Sequence, residues 1–145
     1  MEEQLITFET AKLAKEKGFS INTTEYWEYQ ASGPERYKFI TEDSPGATWV
    51  NDDLKNRICI STQSLLQKWL REKHNIHIRI NDVDGSEGVV FHCMVLNYNS
   101  NPMEYKIIPY KEDLNIVGLV LPKIFKTYEE ALEVGLEEGL KTAFK

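Results

Sequence analysis

The chain has 145 residues, the length of one ordinary domain. Hydrophobic residues at 41% and aromatics at 11% suffice for a buried core and exclude wholesale disorder, and no run nears the roughly 18 apolar residues of a membrane-spanning helix. The net charge of −6 and the acidic opening MEEQLITFET, the reverse of a signal peptide, lead us to expect a soluble cytoplasmic protein whose two cysteines stay reduced.

There is no repeat, low-complexity tract or composition shift, so a single globular domain over 1–145 is expected. A first helix is predicted over Phe8 to Lys17, with Thr7 as N-cap, Glu9 in the first turn and Gly18 closing the end. Its apolar side, Phe8, Ala11 and Ala14 with Leu13, is narrow and suits the edge of a core. The aromatic, alternating segments Glu25 to Gln30 and Arg36 to Thr41 read as a β-hairpin around Gly33-Pro34. The polar stretch Glu42 to Asn56 reads as a surface loop, with Trp49 and Val50 pinned to the body.

Ile58-Cys59-Ile60 reads as a short strand feeding a second helix with Ser61 as N-cap. Leu65, Leu66, Trp69 and Leu70 form its apolar stripe, Lys73 and His74 suit its C-terminal dipole, and Asn75 ends it in the left-handed conformation. Ile76, Ile78 and Ile80 alternate with polar residues as a strand buried on one face. Asp82 to Gly88 is a turn, with Asp84-Gly85 at its centre, and Val89 to Asn97 is the most hydrophobic strand. Tyr105 to Ile108 and Ile116 to Leu121 are further strands. The last helix opens on a T-x-x-E capping box, Thr127 to Glu130, with Phe125 as a staple ahead of it. This order implies an α+β fold: a mainly antiparallel sheet of about five to six strands with three helices packed against it.

Ser61 to Ile78 (STQSLLQKWLREKHNIHI) and Thr127 to Lys141 (TYEEALEVGLEEGLK), with Thr10 to Phe19 (TAKLAKEKGF), resemble a family of small phage- and prophage-encoded proteins of Bacteroides-type gut bacteria. The TQSLLQKWLREKH string is the more specific of the motifs. The resemblance covers 43 of the 145 residues and implies a compact cytosolic protein of mobile-element origin. It carries no activity, substrate or catalytic residue.

Motifs for chemistry are sparse. His74 and His77 are spaced H-x-x-H, but one ends a helix and the other sits on a strand, and the adjacent His92 and Cys93 point to opposite faces of a sheet. No metal site is expected. NDVDGSEG fails as a calcium loop, because the glycine register puts Ile80 and Phe91 where acidic donors belong. Neither glycine-rich nucleotide loop occurs, and no G-x-S-x-G elbow. No catalytic residue and no cofactor is therefore assigned, and an enzyme would need a site assembled only by the fold. Gly135-x-x-x-Gly139, in a helix too acidic for lipid, implies close approach to the sheet or, as a homodimer contact, to a second copy; core packing is favoured.

The charge is segregated. Between Lys55 and Arg79 lie six basic residues and one acidic, a net of +5 against −11 for the rest. The expected function is thus a small non-catalytic interaction protein with a protein partner, through Lys68, Arg71, Lys73, His74 and Arg79 or through the acidic face of the last helix. The alternative is nucleic-acid binding through the Lys55 to Arg79 region, which a pI of about 5.1 disfavours. No membrane partner is expected.

Overall fold

A computed structural model describes residues 3–21, 25–29, 37–41, 57–85, 88–109, 115–116, 119–120 and 122–144. The chain divides into two compact units, Met1–Thr62 and Gln63–Lys145. The α+β class holds. The expected single sheet does not: there are two separate three-stranded antiparallel sheets, one in each unit, and a short two-stranded ladder. The expectations for Gly33-Pro34, for Trp49 and Val50, and for Lys55 lie outside the described residues.

In the first unit, α1 (Phe8–Glu16) is held at its start by Thr7, whose side chain accepts the Thr10 N–H, as expected. Its end is a Schellman turn. Phe19 N–H donates to the Ala14 carbonyl at 2.9 Å and Gly18 N–H to the Lys15 carbonyl at 3.0 Å. Gly18 takes the positive φ, +84°, that this turn needs. The strands β1 (Glu25–Tyr29) and β2 (Tyr37–Thr41) form the expected antiparallel pair, in the register Glu25 to Thr41. The third strand, β3 (Arg57–Cys59), pairs with the other edge of β1, giving the order β2-β1-β3.

Directly opposed residues of an antiparallel pair share a face. Trp27 and Phe39, and Tyr29 and Tyr37, therefore meet edge to face as cross-strand aromatic pairs, with ring centroids 6.0 and 5.5 Å apart. Phe8 of α1 joins them, 5.1 Å from Trp27 and 4.9 Å from Tyr37. Ala11, Ala14, Tyr26, Ile58 and Ile60 are buried. The light apolar side of α1 is thus well inside this small core, because alanines let the helix approach closely.

In the second unit, α2 (Gln63–His74) and α3 (Tyr128–Ala143) cover one face of the sheet β4-β5-β6. In the first unit α1 packs beside β3. Strands β4 (Ile76–Gly85) and β5 (Gly88–Asn97) form a ten-residue ladder that closes at Gly85 and Gly88. Asp84-Gly85, expected in a turn, is strand, because the ladder continues where composition suggested a break. On its outer edge β5 pairs with β6 (Glu104–Ile107), and Phe125 prolongs that edge through two backbone hydrogen bonds with Phe91. The run Ile116 to Leu121, expected as one strand, contains two, β7 (Asn115–Ile116) and β8 (Leu119–Val120), paired with each other.

The inward stripe is Ile76 and Ile78 on β4, Cys93 and Val95 on β5, Leu66 and Leu70 on α2, and Leu132, Leu136 and Leu140 on α3, all buried. Leu65, expected in the α2 stripe, is 41% exposed, since its position lies past the edge of the face that meets α3 and β4. Ser61 is not the α2 cap. The helix starts at Gln63, and the Ser61 hydroxyl donates instead to the Thr62 carbonyl at 3.1 Å. Asn75 takes the left-handed turn with φ 52°, and the His74 carbonyl, an orphan acceptor of the helix end, accepts from the Asn99 side-chain amide. Thr127 caps α3 by accepting the Glu130 N–H at 3.1 Å. The Glu130 carboxylate reaches one residue further back than in a standard capping box, to the Lys126 N–H.

Gly135 and Gly139 are buried on the face of α3 that meets the sheet. A Cβ on Gly139 would lie 3.1 Å from Leu70 Cδ1 and 3.4 Å from Ile78 Cδ1. The G-x-x-x-G pair thus serves the approach of helix to sheet, the favoured of the two expectations.

Candidate functional site

The five residues expected to form a docking surface all lie in the second unit, and four of them point outward. Lys68, Arg71 and Lys73 are exposed on α2, and Arg79 is exposed on β4, whose alternation sends Ile78 inward and Arg79 out. Lys68 is paired only loosely, 4.0 Å from Glu72 one turn on, and both side chains are more than half exposed. Arg71, Lys73 and Arg79 make no ion pair among the described residues. Leu65 adds an exposed apolar side chain three residues from Lys68, on the same side of the helix.

His74 differs from the other four. Its ring is half-buried between Trp69 and Phe144, with centroids 4.4 and 4.7 Å away. Burial holds its pKa below the ordinary imidazole value, so it adds no positive charge at neutral pH. Trp69, placed in the stripe by its spacing, is half-buried against this histidine.

Glu133, Glu137 and Glu138 of α3 are engaged within the unit, while Glu129 and Glu130 are exposed at its start. Glu133 accepts the Gln63 side-chain amide at 2.8 Å, and the same amide nitrogen is 3.1 Å from the Glu129 carbonyl, so buried Gln63 ties the start of α2 to α3. Glu138 accepts from Lys106 of β6 at 2.6 Å and from Lys141 at 2.9 Å, and Glu137 accepts from Lys141 at 2.8 Å. Burial alone would raise the Glu138 pKa, but these ammonium hydrogen bonds outweigh it and hold the carboxyl below its ordinary value. Of the two candidate surfaces, the basic one has the fewer of its charges tied within the unit.

The charge run itself is split between units. Arg57 belongs to the first, where its Nε donates to Glu28 across the β1–β3 pair at 3.0 Å and its guanidinium lies 4.5 Å from the centre of the Tyr26 ring. Beside it is a cleft of about 120 Å³, lined by Ala11, Lys15, Phe19, Ser20, Arg57 and Cys59 among others. The Lys15 ammonium donates to the Arg57 carbonyl at 2.6 Å, capping the edge of β3. Burial raises the pKa of the half-buried Cys59 thiol, against the pull of the Lys15 and Arg57 charges, and lowers that of Lys15. Sequence reasoning missed this cleft. Its signals, a lysine in the last turn of α1 and a cysteine on β3, are far apart in the chain and carry no motif spacing.

Cys93 sits in the second unit, fully buried against α3, and burial pushes its thiol up to about 12. His92, its neighbour, is on the other face, with Nε2 3.2 Å from the Asn81 side-chain amide. Among the described residues no three His, Cys, Asp or Glu side chains converge as metal ligands, and no helix is long and apolar enough to cross a membrane. No family model, no curated protein and no solved structure matches the chain.

Proposed function

We propose that the chain is a small interaction protein of phage or prophage origin that binds an acidic protein surface, and that the exposed side of α2 is its contact face. The observation that carries this reading is the contrast between the two charged faces of the second unit. Glu133, Glu137 and Glu138 of α3 are bonded to their own lysines and to Gln63, whereas Arg71 and Lys73 of α2 are exposed and make no ion pair among the described residues, and exposed Leu65 lies one turn from Lys68. Charges around an exposed apolar side chain suit a protein contact, with electrostatics steering the encounter and burial of the leucine holding it.

Affinity capture from a bacterial host lysate, with the wild-type chain and with a Lys68→Glu/Arg71→Glu variant, tests it. A partner retained by the first and released by the second is the expected result. Nucleic acid is the other class these cations would suit. Fluorescence anisotropy with labelled duplex and single strands at two salt concentrations separates the two: salt-sensitive binding to either strand form would replace the protein partner with a nucleic acid.

A further inference from the structure

The ladder of β4 and β5 outruns the helices that cover it. From Asp82 to Gly85 every residue of β4 is exposed, as are the apolar side chains of Val83 and of Val89 across from Asp84. Among the described residues β4 is also the end strand of its sheet. Residues of an antiparallel edge strand alternate between bonding inward and presenting N–H and C=O outward. The Asn75 carbonyl accepts from Tyr98 N–H where the ladder starts, so the odd-numbered residues of β4 bond to β5. The even-numbered ones turn to the free edge. On that edge the Ile78 carbonyl accepts the Gln67 side-chain amide of α2 at 3.1 Å. Further along, Ile80, Asp82 and Asp84 carry no such cap among the described residues.

Asp82 and Asp84 share a face of the strand, and both are exposed with no ion pair among the described residues. An open edge of this kind is a template for another strand, and charge decides which. Two copies joined edge to edge about a two-fold axis would gather the Asp82 and Asp84 carboxylates of both on one face, a like-charge arrangement. The edge therefore disfavours a second copy and favours a strand with positive charge at alternate positions.

We propose that the edge of β4 from Ile80 to Asp84 takes up an extended basic segment of a partner protein as an added antiparallel strand, with lysine or arginine opposite Asp82 and Asp84. The backbone groups of Ile80, Asp82 and Asp84 supply the hydrogen bonds, and the two carboxylates fix the register. Exposed Val83, on the other face, offers an apolar contact to the intervening side chain. This partner is opposite in charge to the one proposed for α2, so each surface stands or falls by its own test.

The probe is the peptide acetyl-Lys-Val-Lys-Thr-Val-amide, whose residues fall in order opposite Asp84, Val83, Asp82, Asn81 and Ile80. It is titrated to millimolar concentration into the full chain and followed by amide NMR. Saturable shifts are expected, larger at the edge-facing amides of Ile80, Asp82 and Asp84 than at those of Asn81 and Val83. N-methylation of the second lysine and the last valine, whose N–H groups face β4 in this register, should weaken binding by about tenfold or more. N-methylation of the first valine and the threonine, whose N–H groups point away, should change it by about twofold at most. Asp82→Lys/Asp84→Lys should weaken the peptide by about tenfold or more and accept its counterpart with glutamate for lysine.

No saturable shift at Ile80, Asp82 and Asp84 overturns the proposal. Equal affinity of the two N-methylated peptides also overturns it, since charge attraction without strand addition would give that result. So does an affinity that the folded double variant leaves unchanged, or a shift of the same amides with protein concentration alone, which would assign the edge to a second copy. If the double variant does not fold, the two N-methylated peptides on the wild-type chain decide.

Discussion

Gly135 of α3 lies directly over Cys93 of β5. A Cβ at Gly135 would fall inside the van der Waals envelope of the Cys93 sulfur and 2.6 Å from Ile78 Cγ2. Two glycines in one helix cost about 1 kcal/mol each against alanine, and this contact explains the first of them. The helix axis can come close to the sheet only if nothing projects at position 135, and Cys93, fully buried and itself small, completes the fit.

Alanine at the two glycines should therefore have unequal effects. Gly135→Ala meets two buried side chains with little room to move and should destabilise by about 1–3 kcal/mol despite the better helix propensity. Gly139→Ala meets mainly the ends of Leu70 and Ile78 at 3.1 Å or more, so the propensity gain of about 1 kcal/mol should leave it near neutral. Urea unfolding of both variants checks the order, and Cys93→Ala should relieve part of the Gly135→Ala penalty.

Gly18 offers a contrasting case. Nothing lies within 4 Å of a Cβ there, yet its φ is +84°. Gly18→Ala should cost about 1 kcal/mol through backbone strain alone, and Gly18→Asn less, because asparagine tolerates the left-handed region better. Thermal melts of the two variants distinguish strain from clash.

Some turns and caps were legible in the sequence because they depend on neighbours a few residues away, though the expected Ser61 cap and Asp84-Gly85 turn did not occur. Gly18, Asn75 and the Thr127–Glu130 cap all occur where residue type placed them. So does the inward alternation of Ile76 and Ile78, which follows from the two-residue period of a strand. Strand partnership was not legible. Nothing local to Arg57–Cys59 states that it pairs with β1, and it is this pairing that makes two sheets of what polarity alone suggested was one. The exposure of Leu65 likewise depends on where α3 stops covering α2. For the candidate sites, the sequence supplied the cations of α2 but not the fate of the α3 glutamates, whose partners Gln63 and Lys106 come from other elements. The Lys15–Cys59 cleft is a product of folding alone.

Glu138 should give the protein a measurable acid dependence. Its carboxyl is held below the ordinary value in the folded chain by Lys106 and Lys141, whereas in the unfolded chain it titrates near the ordinary glutamate value of about 4.3. The unfolded state thus binds the proton first as pH falls. The contribution is complete above that value and is lost as pH drops through the lower folded value. Glu138→Gln should cost about 1 kcal/mol at pH 7, discounted for the partial exposure of the lysines. The gap to wild type should close at the acid end of a pH series of denaturant melts; a constant gap would mean that the charge is immaterial.

The docking face is tested most directly by quantitative affinity capture with the wild-type chain and a triple charge reversal, Lys68→Glu/Arg71→Glu/Lys73→Glu. All three side chains are exposed, so the fold should be retained within about 0.5 kcal/mol, which a melt confirms before capture. The account predicts an acidic partner protein recovered by the wild type and lost at least about tenfold with the reversal. Recovery of the same partner in equal amount by both proteins would contradict it.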